Sequence, residues 1–204
     1  MLVLDAADFV ARLQPELFSS LQSFAKVCAD GGALRVVLVC SEGAALPLLR
    51  ASSAWSRLLK PPYEVPDLLD AQAVQYLVGR GLAQGEAEEA VRTTTGGRFA
   101  LLLDAAAGGA AAMGQELAVA TGSALRQLRL PPTHAFFARL LAAGRVPADE
   151  ALDLLPREAL QGLLAGSVLA LHPDASYSAQ ARHVETYLRR AAASARAGGA
   201  ALGA

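Results

Sequence analysis

Two apolar runs decide how this chain is read: Met1-Leu2-Val3-Leu4-Asp5 and Leu34-Arg35-Val36-Val37-Leu38-Val39-Cys40. Each is short, nearly continuous and rich in Leu and Val. That is the pattern of a strand with apolar neighbours on both faces, as in a parallel sheet. The first ends on Asp5 and the second leads into Ser41. Between them Pro15 opens a helical segment with Leu17, Leu21, Phe24 and Cys28 at helical spacing, and Asp30-Gly31-Gly32 stops it. Further on, Leu46–Lys60 reads as helical in part, with Trp55 as a core residue, until Pro61-Pro62 breaks it. Tyr63-Glu64-Val65 is then a candidate third strand. Alternating strands and helices with Gly/Ser turns predict an open parallel α/β sheet. Ligands of such sheets gather at the carboxyl ends of the strands, which here carry Asp5, Ser41 and the Val65–Asp67 region.

The pattern changes after Asp67. Helical spacing predicts Asp70–Gly81 and Gly85–Thr93, then a turn at Thr95-Gly96-Gly97, then helices from Arg98 to Ala107 and from Ala111 to Leu130. Pro131-Pro132 marks a boundary. Beyond it come helices over Thr133–Ala143, Ala148–Leu154 and Arg157–Leu164, a strand at Val168–Leu171, a turn at Pro173-Asp174, a short strand at Ser176–Ser178 and a helix over Ala181–Arg190. Three helices followed by a two-stranded wing are similar to a winged helix. The expected organisation is a partial α/β core over 1–67, a helical segment over 68–130, a winged-helix-like segment over 131–190 and a disordered Ala/Gly tail over 191–204. The whole is expected to be helix-dominated.

Composition removes several classes. In 204 residues, 18 Lys and Arg face 19 Asp and Glu for a net charge of −1, which argues against a polybasic binder. Hydrophobic residues at 53% with only 18% charged argue against wholesale disorder. Two cysteines, Cys28 and Cys40, make neither a disulfide framework nor a zinc site, and read as buried thiols in a reducing compartment. No apolar run is long enough to span a membrane, and the N-terminus lacks the pattern of a secretory signal. The expected location is therefore intracellular. His134, His172 and His183 have no metal-ligand spacing.

Taken in order, Leu2–Asp5, Val36–Ser41, Ser56-Arg57 and Thr95-Gly96-Gly97 resemble the back half of an AAA+ or STAND-type P-loop ATPase, of the archaeal-type ATPase family. The resemblance makes Leu2–Asp5 a Walker B strand, Ser41 the sensor 1 residue and Arg57 an arginine finger acting on a neighbouring subunit. The helical segment is then the lid. Asp5 would hold Mg²⁺ beside ATP in an intact site, and Arg98 would be a sensor 2-like phosphate contact at a helix N-terminus. Ala6 stands where such ATPases usually carry a water-orienting Glu, and Asp8 is the nearest acid that could replace it. The phosphate-binding G-x-x-x-x-G-K-[ST] is absent from these residues. The expectation is a truncated or degenerate ATPase, inactive alone, with no cofactor bound by this chain.

Each assignment has a plainer counterpart. Asp5 can simply cap the next helix near Asp8. Arg57 can pair with Glu42 or Asp67 at the surface, and Arg50 is equally well placed as a finger. Arg98 can be a solvated first-turn residue. The alternative function is a non-enzymatic interaction or DNA-binding module built on the winged-helix-like segment. There Arg157 and Gln161 of the recognition helix, with Arg139, would meet nucleic acid. Near-neutral charge in this segment and a wing without cations favour a protein partner or self-association over DNA.

Overall fold

The structure, a computed structural model, describes residues 1–40, 45–53, 56 and 62–201. Helix makes up 66% of it, so sheet is confined to two small patches. The chain divides into two compact units. The first comprises Met1–Glu64 with Ala170–Ser176, and the second Val65–Leu169 with Tyr177–Ala204.

In the first unit, β1 (Leu2–Leu4) and β2 (Val36–Leu38) pair in parallel, with Leu2 opposite Val36, Val3 opposite Val37 and Leu4 opposite Leu38. The ladder runs on through Leu2 N to the Arg35 carbonyl at 2.8 Å and Val39 N to the Leu4 carbonyl at 2.9 Å. One face packs on helices: Leu38 and Cys40 meet a small core of Ala7, Ala11, Phe18 and Ala45. These come from α1 (Ala7–Leu13), α2 (Pro15–Asp30) and α3 (Ala45–Ala51). The other face does not follow the expectation of double burial. Val3 is 52% exposed and Val37 42%. No strand forms at Tyr63–Val65 either; residues 62–69 are irregular. An extended segment becomes a strand only where a neighbour completes its ladder, and among the described residues none does. Trp55 lies outside the described residues. Cys28 and Cys40 are half-buried rather than fully buried.

The second unit begins with α4 (Asp70–Gly79), α5 (Gln84–Ala90), a π-turn at Val91–Thr95, α6 (Phe99–Gly108) and α7 (Ala110–Gln127). Their core is Ala73, Leu77, Ala87, Ala90, Val91, Leu102 and Ala105, with Leu68, Tyr76 and Met113 packed around it. So many alanines let the helices approach closely. Gly114 of α7 lies against Thr94, and Gly122 against the Tyr187 hydroxyl.

Next come α8 (Ala135–Ala143), β3 (Arg145–Pro147), α9 (Ala148–Leu154), α10 (Arg157–Ala165), β4 (Leu169–Leu171), β5 (Ser176–Ala179) and α11 (Arg182–Ala201). The three strands lie in the order β3-β5-β4. His134 caps α8, its Nδ1 accepting from Phe136 N at 3.2 Å, and Gly144 at φ +75° ends it. Phe136, Phe137 and Leu140 of α8 are fully buried with Leu160 and Leu163 of α10 and Val184 and Leu188 of α11. The tail expected to be disordered from 191 is helical as far as Ala201. Alanine has the highest helix propensity, and the run Ala191-Ala192-Ala193 simply prolongs the helix already begun at Arg182. Among the described residues no helix is long and apolar enough to cross a membrane.

Candidate functional site

The strand end is built by an abrupt turn. Asp5 leaves β1, its Oδ1 accepts from Ala6 N at 2.8 Å, and Ala6 adopts a left-handed conformation at φ 51°. Ala7 N then donates to the Val39 carbonyl at 2.9 Å, fixing the start of α1 beside the end of β2. The Asp5 carboxylate is left in solvent at the carboxyl ends of two parallel strands. Asp8 sits one helical turn on and is buried, 9% exposed. Burial pushes the Cys40 thiol up to about 11, and the nearby Asp8 charge adds to that. Asp5 and Asp8 therefore differ in kind: one faces water, the other is enclosed beside a thiol. Ser41 and Arg57 lie outside the described residues. Arg50, the competing finger, donates from Nη2 to the Pro173 carbonyl at 2.5 Å.

The Thr-Gly-Gly turn is the most constrained part of the second unit. Thr93 Oγ1 donates back to the Glu89 carbonyl at 2.8 Å, and Thr95 Oγ1 to the Gly96 carbonyl at 3.0 Å. Thr93 reaches back one turn and Thr95 forward to the next residue, and back-bonding of the first kind loosens the helical ladder where the π-turn forms. Gly96, at φ 53° and ψ −142°, occupies a region that side chains exclude. The Gly97 carbonyl accepts from Leu68 N at 2.9 Å, so close that a Cβ on Gly97 would stand 1.7 Å from the Leu68 oxygen. Arg98 caps α6, but its guanidinium is not in solvent: it donates to the Gln180 carbonyl. With the Gln180 amide nitrogen on the Leu169 carbonyl at 3.0 Å, the amide oxygen receives Arg98 Nη2 at 2.8 Å. Arg98 also faces His183, whose pKa falls to about 4, first through burial and second through that positive charge. His183 Nδ1 is buried without a hydrogen-bond partner.

In the C-terminal segment Arg139 is spent on Glu150, two guanidinium nitrogens meeting the two carboxylate oxygens. Arg157 and Gln161 are exposed on α10, with Glu158 between them. The opposite side of α10 is closed off. A Cβ on Gly162 would lie 2.5 Å from Leu128, and one on Gly166 3.1 Å from Ala124. Among the described residues no cluster of three metal-ligating side chains occurs.

The structure also joins residues that sequence spacing left apart. His172 Nδ1 lies 2.6 Å from Glu64 Oε1, across 108 positions of chain. Arg182 reaches both oxygens of Asp70, at 3.3 and 3.4 Å. Neither pair carries a local signal; only the tertiary fold makes them neighbours. Comparison with protein-family models, curated proteins and solved structures finds no match for this chain.

Proposed function

We propose that these residues are part of an AAA+/STAND-type P-loop ATPase, and that they do not turn over ATP by themselves. They would supply the acid-tipped strand, the lid and a winged-helix-like segment. The observation that supports this most is the in-register parallel pair β1–β2 with the Asp5 carboxylate in solvent just beyond β1. An acid there can take one coordination position on Mg²⁺. The residues in hand do not fit ATP, however. The G-x-x-x-x-G-K-[ST] segment that would cradle the phosphates is not among them, and Arg98 is already held by Gln180. Asp8, enclosed beside Cys40, is poorly placed to orient an attacking water.

Two measurements test this reading. Calorimetric titration of the chain with Mg-ATP should show no binding in the micromolar range; Asp5-dependent micromolar binding would overturn it. Mapping the 5′ end of the transcript should find, in frame, a strand followed by G-x-x-x-x-G-K-[ST]. An upstream coding sequence without that pattern sinks the ATPase reading.

A second reading, a protein-interaction module, is favoured by the order α8-β3-α9-α10-β4-β5 with the sheet order β3-β5-β4, which is similar to a winged helix. On α10 the exposed Arg157 is offset by Glu158, and Leu160 and Leu163 on the other side are buried, so this helix is a poor reader of DNA and a better packing surface.

A further inference from the structure

Away from both the strand end and α10, a cleft of about 300 Å³ opens between the π-turn and α11. Arg92, Arg182, Arg189 and Arg190 line it, with the hydroxyl residues Thr93 and Thr186. The carboxylates that face these cations are Glu185 in the cleft, Glu89 on Arg92 and Asp70 on Arg182. The Glu89 pair is exposed on both sides, 56% and 70%, and an exposed pair of that kind is readily exchanged for a stronger anion. Arg189 donates to the Leu141 carbonyl at 3.3 Å, and among the described residues neither Arg189 nor Arg190 makes an ion pair with a carboxylate.

The cations continue out of the cleft. Arg182, Arg189 and Arg196 recur every seven residues, which keeps them on one side of α11 at intervals of about 10 Å. The helix carries four arginines against one glutamate, a surplus of three positive charges in a chain whose net charge is −1. A single small anion would use the cleft and leave Arg196 idle. A chain of regularly spaced phosphates would use both.

We propose that the α11 cleft binds the phosphodiester backbone of a nucleic acid, sequence-independently, through Arg189, Arg190, Arg182 and Arg92 in the cleft and Arg196 beyond it. The inference rests on this face alone and stands or falls independently of the nucleotide-site reading. The planar guanidinium suits phosphate oxygens, and the Thr hydroxyls can add neutral donors.

The test is fluorescence anisotropy of the full chain with a labelled duplex of ~20 base pairs, at salt from ~50 to ~200 mM. The expected slope of log K against log salt is about −2 to −3, for two to three neutralised phosphates. Replacing Arg189→Gln together with Arg190→Gln should weaken binding about tenfold or more and reduce the slope by about two. Arg189→Lys with Arg190→Lys keeps the charge and should retain most of the affinity, which separates loss of contact from loss of fold. Arg157→Gln should change nothing. The proposal is overturned by salt-independent or absent binding of the duplex, by a Gln pair that binds as the parent does, or by loss with Arg157→Gln. Calorimetric binding of pyrophosphate without any binding of duplex would overturn it as well, by making the cleft a site for small anions.

Discussion

Changing Gly97→Ala adds one methyl group at the tightest backbone approach in the second unit. The new Cβ would stand 1.7 Å from the Leu68 oxygen, 2.6 Å from its carbonyl carbon and 2.7 Å from its nitrogen. All three neighbours are backbone, so no side chain can swing aside. Restoring ordinary contact means moving the segment before α4 by roughly 1.5 Å. That displacement breaks the 2.9 Å bond from Leu68 N to the Gly97 carbonyl, a loss of about 1 kcal/mol. It also draws Leu68 away from the Leu77–Leu102 core, at about 1–2 kcal/mol for partial re-exposure. Residual strain adds about 1–2 kcal/mol, for a total near 3–5 kcal/mol. At about 2–4 °C per kcal/mol, the melting temperature should fall by about 6–20 °C. The control is Gly108→Ala, at the end of the neighbouring α6, where a Cβ meets open space. That substitution should be neutral or stabilise by up to about 1 kcal/mol. Both are read by thermal and urea denaturation followed by circular dichroism. Equal melting temperatures for the two variants would refute the claim that Leu68 is seated on Gly97.

Three further outcomes are expected. His183 is held neutral, with a pKa of about 4 against an ordinary 6.5, so the unfolded chain binds the extra proton first on acidification. Its contribution is whole above pH 6.5 and is lost as pH falls from there to about 4; with solvent screening the loss is about 1–2 kcal/mol, and His183→Gln should flatten the stability profile over that range. Cys40, pushed up to about 11, should react with iodoacetamide at pH 8 roughly tenfold more slowly than an ordinary thiol, once the greater nucleophilicity of its thiolate is counted. Asp8→Asn should recover only part of that rate, because burial is the larger cause. Phe136→Ala empties a fully buried site edge-on to Phe137, and should cost about 3–5 kcal/mol in urea denaturation.

How far the sequence was legible follows from what each element is made of. The helix Ala148–Leu154 is read at its observed ends because Pro147 precedes its first residue and Pro156 disfavours helix at Leu155. Both parallel strands are visible as Leu/Val runs, but their exposed face is not. A run of valines looks the same whether one side or two are covered. Helix α1 leaves no trace in the sequence because its buried positions, Ala7 and Ala11, are alanines that carry little hydropathy signal, and Asp8 breaks the pattern from inside. Strand β3 was hidden by Pro147, which usually argues against a strand. The expected strand at Tyr63–Val65 failed for the opposite reason: good β-formers without a ladder to join. At the candidate site, the special role of Thr95-Gly96-Gly97 was readable as a turn. That Arg98 would be tied to Gln180 was not, since 82 positions separate them.

The placement of Ala170–Ser176 has a consequence for biosynthesis. This hairpin turn belongs to the first unit, held by Arg50 on the Pro173 carbonyl and by His172 on Glu64. The ribosome releases Glu64 long before it makes His172. At synthesis rates of about 5–20 residues per second, the β1–β2 segment waits roughly 5–20 s for its last contacts. Val3, Val37 and Val39 are exposed with the turn in place too, so what that interval lacks is the two bonds from Arg50 and His172. The first unit is thus first in order of translation but among the last to be completed. A nonsense codon between the two parts would release a product with its N-terminal unit unfinished.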